Sequence, residues 1–319
     1  MFSFIKFFQS FTTFLKRKKW LWFSILSFGS AAGVLVSMLF INMMTKDVAQ
    51  QTFLEEHRLD SNLLSGFLTS RYDSLLSIGN ILAMEPTIIL HINKQEDKTL
   101  IELLDKTSQN INNKLNISPL SVKYYAKDYE ASVSQNHEYA DLVITSNQTI
   151  SGIAVNKDGV RLIGITPIVD PENNTTIGAI EISQSIHALK EDFERINKEF
   201  IFVLDKNQLV FLDIEHKTDT YADIDEEYKI AFHNYDSKFY TNLQRLNIEE
   251  FKTAKYVNNK NFYTTYDEAI DLNGREIGLF FIGESAANAN SFVKITENMI
   301  NSVTTVALGL VISLILFMF

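Results

Sequence analysis

Two stretches without a charged residue decide most of what this chain can be. Trp20–Met44 is dominated by Leu, Ile, Val, Phe, Met, Ala and Gly, and Met299–Phe319 is apolar from Val303 onward apart from Thr, Ser and Gly. About 20 such residues are needed to span a bilayer as a helix. Lys16, Arg17, Lys18 and Lys19 immediately precede the first stretch, which keeps the N-terminus in the cytoplasm. The run is too long for a cleaved leader, and Asn42-Met43-Met44 closes it in place of a small-residue cleavage site. Residues 20–44 and 298–319 are therefore expected to be transmembrane helices, with 1–19 cytoplasmic and 45–297 outside the cytoplasm. Phe4, Phe7, Phe8, Phe11, Phe14 and Leu15 recur at helical spacing. They fit either an amphipathic helix on the inner leaflet or a Phe-rich lead-in to the first span.

The charge of the rest excludes one class of partner. The net charge is −10, but residues 1–45 hold five bases and no acid, leaving 24 basic against 39 acidic residues beyond them, a net of −15. A phosphate binder needs the opposite sign, so nucleic acid is not an expected partner. Cysteine is absent, which removes disulfides, thiolate catalysis and Cys-ligated zinc.

Between the spans, helices come first. From Lys46 to Met84, Leu64, Leu68, Leu75, Ile78 and Leu82 recur at spacings of three, four and seven, and no Gly cluster or Pro interrupts them until Pro86. A rod continuous with the first span is expected. A second helix is expected over Asp97–Leu115. Strand signals then follow at Val122–Ala126 and Thr149–Val155, with Asp128–Tyr139 looped or briefly helical. Val160–Val169 and Ile177–Ile182 form a hairpin around Asp170-Pro171-Glu172-Asn173-Asn174, and its helix runs from Ile186 to about Lys198. A second unit begins at Glu199, with strands at Phe200–Asp205 and Gln208–Ile214 and a helix at Asp223–His233. Asp236–Asn259 has no clear assignment. A hairpin, Phe262–Leu272 with Arg275–Gly283, turns at Asn273-Gly274, and a helix covers Ser285–Asn298. Helices followed by antiparallel strands indicate an α+β fold, with a sheet covered on one face. Ile177-Gly178 and Ile277-Gly278 occupy the same place in two hairpins that each lead into a helix, which points to two related sheet units in tandem.

No catalytic motif is present: no P-loop, GxGxxG, HExxH or GxSxG. The six histidines lack metal-ligand spacing, so neither a metal nor a cofactor is expected, and the chain is not expected to be an enzyme.

The layout resembles the double Cache sensor domains of bacterial transmembrane receptors. The resemblance rests on Gly159, Gly164-Ile165, Pro167-Ile168, Asp170 and Gly178-Ala179-Ile180-Glu181-Ile182, and it extends over about Lys46 to Asn298. Two departures stand out: Ile163 occupies a position often basic in that branch, and the amino-acid-binding signature of the better-known members is not matched. The resemblance implies two PAS-like antiparallel-sheet modules on a long N-terminal helix, one membrane-distal within 45–198 and one membrane-proximal within 199–297. It also implies a signalling receptor, either a chemoreceptor, a sensor kinase or a diguanylate cyclase, and does not choose among them; the expectation adopted is a methyl-accepting chemotaxis-type receptor, with a histidine kinase or diguanylate cyclase sensor as the alternative. An output module would then follow Phe319; a chain that ends in the membrane would favour an envelope scaffold without a small ligand. A homodimer along the first helix is implied too, although the same Leu pattern serves packing on the sheets.

A small-molecule site on a sheet face places a few polar groups among apolar walls. In the distal module the candidates are Tyr124, Tyr125, Tyr139, Asp141 and Arg161. Arg161 would pair a carboxylate or phosphate bidentately, so an organic acid is the ligand class it suggests; the other reading is a surface arginine on a strand. Tyr124 and Tyr125 point to opposite faces, so at most one lines a given pocket. The alternative for each tyrosine is core packing with a wet hydroxyl.

Overall fold

The computed structural model describes residues 19–115, 119–127, 137–212, 222–231, 234–285, 298–306, 308, 309, 312 and 313. The chain forms two compact units, Met1–Glu55 with Ala289–Phe319, and Glu56–Asn288. The first helix, α1 (Lys19–Ala83), runs through both as the sequence predicts. In the first unit residues 19–55 are helical and 298–306 are helical. Among the residues searched no single helix is long and apolar enough to cross a membrane. Much of the expected second span, and the Phe-rich lead-in before Trp20, lie outside the described residues.

The second unit carries the rest of the fold. Pro86 does more than end α1. It sits in the first turn of α2 (Pro86–Asn93), where its missing N–H costs nothing, and Glu85 before it is extended at ψ 118°. The chain bends there by 62°. Helix α3 (Asp97–Leu115) follows as expected. Then come β1 (Leu120–Ala126), α4 (His137–Ser146), β2 (Ile150–Asn156), β3 (Gly159–Asp170), β4 (Thr175–Ser185) and α5 (Ala188–Glu194). The remaining elements are β5 (Glu199–Asp205), a 3-10 turn (Lys206–Phe211), β6 (Tyr228–Ile230), α6 (Ser237–Leu243), α7 (Ile248–Ala254), β7 (Tyr256–Asn258), β8 (Phe262–Ile270) and β9 (Glu276–Ser285). The class is α+β.

All strand pairs are antiparallel, in two sheets ordered β1-β4-β3-β2 and β6-β5-β9-β8-β7. The second sheet repeats the first, with β5, β9, β8 and β7 in the places of β1, β4, β3 and β2, and β6 added at the edge. The repeat extends to irregularities. Gly178 faces Ile168 beside a register shift at Ile168/Val169, and Gly278 faces Ala269 beside one at Ala269/Ile270. Each glycine lies where a Cβ would strike a neighbouring carbonyl, Tyr125 O at 2.7 Å and Val203 O at 2.0 Å. The Ile-Gly echo in the sequence is thus a conserved contact geometry within the chain, imposed by backbone approach beside a bulge.

One apolar layer joins the unit. Leu64 and Leu75 of α1, Ile88 of α2 and Leu100 and Leu104 of α3 are buried with Leu162, Ile168, Ile180 and Ile182 of the first sheet and Phe200, Phe202, Phe280 and Ile282 of the second. Gly164 lets α1 come close: its Cβ would lie 3.1 Å from Leu75 Cβ. Each sheet also has an outer face, covered by α4 on the first and by α6 and α7 on the second.

Two expectations need correction, and one unassigned stretch gains its elements. Gln208–Phe211 is part of the 3-10 turn, because Asp205 accepts from the Asn207 amide at 2.7 Å and starts a tight helical turn; 213 and 214 lie outside the described residues. Asp223–Ala231 is not a helix, and Phe232 and His233 lie outside the described residues. The Asp225 carboxylate accepts from the amides of Glu227 and Tyr228, each at 2.8 Å, which closes a turn that leads into β6. The stretch Asp236–Asn259 holds two helices of one to two turns, started by the caps Asp236 and Asn247. The expected helix over Ser285–Asn298 lies outside the described residues except Ser285, which ends β9, and Asn298, which is helical.

Candidate functional site

Strand alternation puts a charged group of residues on the outer face of the first sheet. Lys123 and Tyr125 on β1, Arg161, Ile163 and Ile165 on β3, and Ala179, Glu181 and Ser183 on β4 all face α4. Ala140, Val143 and Ile144 of α4 supply the apolar cover, packed with Tyr125, Ile163, Ile165 and Ala179.

Arg161 is the centre of this group. Its Nε donates to Ser183 Oγ at 3.0 Å and its Nη2 to the Ser183 carbonyl at 3.2 Å. Its third guanidinium nitrogen, Nη1, has no hydrogen-bond partner among the described residues. Burial lowers the Arg161 pKa, while the charges of Asp158 and Glu181 act in the opposite direction; a guanidinium stays charged at any physiological pH. Glu181 is fully buried and accepts from the Tyr125 hydroxyl at 2.8 Å. Lys123 Nζ donates to Asp158 Oδ2 at 2.7 Å. Burial works against the Asp158 carboxylate, but the hydrogen bond and charge of Lys123, with Lys157 and Arg161, hold its pKa below the ordinary value. Lys123, Arg161 and Glu181 therefore share one sheet face, and Asp158 adds a second anion from the β2–β3 turn.

The five candidates do not all meet. Tyr125 and Arg161 share the outer face. Tyr124, one residue along, is partly buried in the layer under α1 and lies against Gly178, as the alternation requires. Tyr139 packs at the edge of the α4 cluster, and its hydroxyl accepts from Asn273 Nδ2 at 2.6 Å, which ties α4 to the β8–β9 turn. Burial, then the charges of Asp271 and Glu138, raises the Tyr139 pKa. Asp141 is exposed on α4. Lys123, Asp158, Glu181 and Ser183 are the site residues that the sequence reading passed over. Glu181 had a signal: a carboxylate inside the run Gly178-Ala179-Ile180-Glu181-Ile182, in a strand apolar on both sides.

The outer face of the second sheet is different. Phe239, Leu243 and Phe251 from α6 and α7 fill it against Ile201, Leu279, Phe281 and Phe262. Phe251 stacks on Phe281 at 5.7 Å, and a Cβ at Gly283 would lie 2.3 Å from the Phe239 ring. Tyr228 and Tyr266 border that cluster beside Lys252 of α7, whose Nζ donates to the Tyr228 hydroxyl at 2.9 Å. Among the described residues no His, Asp and Glu cluster could hold a metal ion.

The motif residues of the resemblance are structural. Asp170 is buried at the end of β3, where its carboxylate accepts from the Glu172 amide at 2.9 Å and from Asn173 Nδ2 at 3.0 Å. Pro167 falls beyond the last β2 partner, since β2 pairs only as far as Ile165. A proline without an N–H suits that free strand edge.

With two tandem sheets on one long helix, this architecture is that of a sensor module. The chain belongs to the dCache_3 family, described as the double sensory domain of two-component sensor kinases, and the family model matches residues 54–288. Similar solved structures include the sensor domain of the V. cholerae histidine kinase DctB, 9% identical with a TM-score of 0.40 over 74% of this chain and 98% of that one. Another is the ligand-binding domain of the Campylobacter jejuni chemoreceptor Tlp3 in complex with L-valine, 9% identical, TM-score 0.43, over 77% and 96%. A third is the periplasmic domain of Vibrio cholerae LuxQ, 9% identical, TM-score 0.41, over 70% and 97%. No curated relative matches the chain.

Proposed function

We propose that this chain is the extracytoplasmic sensing part of a bacterial two-span signalling receptor, and that it binds a small organic acid on the outer face of the first sheet. The observation that carries this reading is Arg161: a largely buried guanidinium with a donor nitrogen to spare, beside the buried Glu181–Tyr125 pair. A ligand carboxylate would take the spare donor, and a hydroxyl or amine on the same ligand would suit Glu181. The aromatic filling of the second sheet's outer face supports placing the ligand on the first.

In this reading the chain acts by binding and does no chemistry. Residues 20–44 and 298–319 cross the membrane, and ligand binding shifts the receptor between two states by its differential affinity for them. A homodimer forms along α1, whose exposed face carries the small polar residues Ser65, Gly66, Thr69, Ser70, Ser74 and Ser77. The chain has no cysteine, so S70C offers a single thiol, and disulfide-linked dimer in oxidised membranes is the expected result. The output we assign is of the methyl-accepting chemotaxis type; the family's description favours a second reading with a histidine-kinase output. Autophosphorylation from ATP by the full receptor separates the two.

Titration calorimetry of residues 46–298 against a panel of organic acids, amines and amino acids tests the ligand. An organic acid that binds, with affinity lost at least tenfold in R161A, is the expected outcome. A folded sample with no binder in the panel would count against the reading.

A further inference from the structure

We infer that the protein has a second ligand site, separate from the Arg161 face, which takes a small, neutral, largely apolar molecule carrying one hydrogen-bonding group. The site is a recess of about 360 Å³ at the end of α1. Its walls are Ala83 and Met84 from the α1 end, Ile89 from α2, and Thr166, Pro167 and Val169 from β3, with Asn80, Thr149 and Pro171 completing the lining. It lies where β2 has stopped pairing, so the β3 edge that a neighbouring strand would cover opens into it.

The chemistry of the occupant follows from the walls. No charged side chain lines the recess among the described residues, which disfavours an ion because its hydration would be lost without a partner. The apolar walls favour hydrocarbon, and the volume is at the small end of the range for ligand pockets. One polar group stands out. Thr166 is 3% exposed, and its hydroxyl has no hydrogen-bond partner. A buried hydroxyl left unpaired keeps its full desolvation cost, so such groups are rare unless something completes them. Gly79 leaves Thr166 its room: a Cβ at that position would lie 2.7 Å from Thr166 Oγ1. The recess therefore combines mostly apolar walls, broken by the neutral side chains of Asn80 and Thr149, with one unmet donor and acceptor at Thr166. A cyclic or short-chain alcohol or ketone has the matching chemistry. Thr166 points to the opposite side of β3 from Arg161, and the proposal stands whether or not an organic acid binds there.

Met84 makes the site directly observable. It is the only methionine between Met44 and Met299, so methyl-13C methionine labelling of the full chain in nanodiscs gives one signal from the sensor unit, assigned by its loss in M84L. Cyclohexanol is the probe. The expected result is a saturable Met84 shift, weakened about three- to tenfold in T166V, which keeps the shape and removes the hydroxyl. The shift disappears in V169F, which fills the recess, while the other methionine signals in V169F match those of the unchanged protein. It is retained in R161A. A non-saturating shift, equal affinity in T166V, an undiminished shift in V169F, loss in R161A, or equally tight binding of cyclohexylammonium would each overturn the proposal.

Discussion

Arg71 grips Asp192 with two parallel hydrogen bonds, Nε to Oδ2 and Nη2 to Oδ1, both 2.9 Å long. Both side chains are largely buried. The same guanidinium donates to the Ala188 carbonyl at 3.2 Å and to Gln184 Oε1 at 3.3 Å. One α1 residue thus fixes β4 and α5, the segment that joins the first sheet to the second. Breaking one partner leaves a buried charge. R71A is expected to destabilise the sensor unit by about 3–5 kcal/mol, measured by denaturant unfolding. R71M/D192L, which removes both charges, should recover most of that loss, because the desolvation cost vanishes with them.

Eleven residues earlier α1 makes a second clamp of opposite polarity. Lys198, just past α5, donates to Asp60 and to Glu56 Oε1 at 2.8 Å, and Thr265 of β8 donates to Asp60 Oδ2 at 3.0 Å. Burial works against the Lys198 ammonium, but the charges and hydrogen bonds of Asp60 and Glu56 outweigh it and raise its pKa. K198M should therefore cost about 3–5 kcal/mol at neutral pH, since two carboxylates lose their only cation among the described residues. K198M/D60L/E56L should lie closer to the unchanged protein, and thermal melts of the three chains check the order.

These two clamps show what the sequence could and could not reveal. The apolar periodicity of Leu64, Leu68, Leu75, Ile78 and Leu82 placed α1, and turn chemistry at Asp170–Asn174 and Asn273-Gly274 placed both hairpins. The pairing of Arg71 with Asp192 spans 121 residues and no local signal foretells it. The same limit applies at the candidate site. Arg161 and Tyr125 were legible as a polar residue and an aromatic on a strand face. Their partners Ser183 and Glu181 come from register, which sequence spacing alone does not fix. Short helices α6 and α7 escaped because seven residues give too little periodicity, although their caps Asp236 and Asn247 were present to be read.

Asp267 on β8 offers a pH test. Burial raises its pKa from 3.8, against the Ser61 hydrogen bond and the charge of His57. With the folded pKa above the unfolded one, the folded state holds the extra proton, and stability falls as pH rises through the interval between the two values. D267N keeps an acceptor for Ser61 and removes the titration. Its melting temperature should exceed that of the unchanged protein at pH 7 and converge with it at pH 3. An equal difference at both pH values would show that the carboxylate's charge is not the cause.

The paired glycines make the tandem repeat testable position by position. At Gly278 an added methyl meets the backbone carbonyl of Val203 at 2.0 Å, and at Gly178 it meets Tyr125 O and the Tyr124 ring at 2.7 Å. A carbonyl in a central strand has no rotamer to yield, whereas a tyrosine ring has some freedom. G278A should therefore cost more than G178A, at or above the roughly 1–3 kcal/mol typical of overpacking. Gly66 supplies the opposite case. It lies inside α1 with open space around it, so G66A should stabilise by about 0.5–1 kcal/mol through helix propensity alone. The three variants differ by one methyl group each, and denaturant midpoints should rank them G66A above the unchanged protein, then G178A, then G278A. If G278A matched the unchanged protein, the close strand approach beside the Ala269/Ile270 register shift would be wrong, and with it the structural meaning of the Ile-Gly echo.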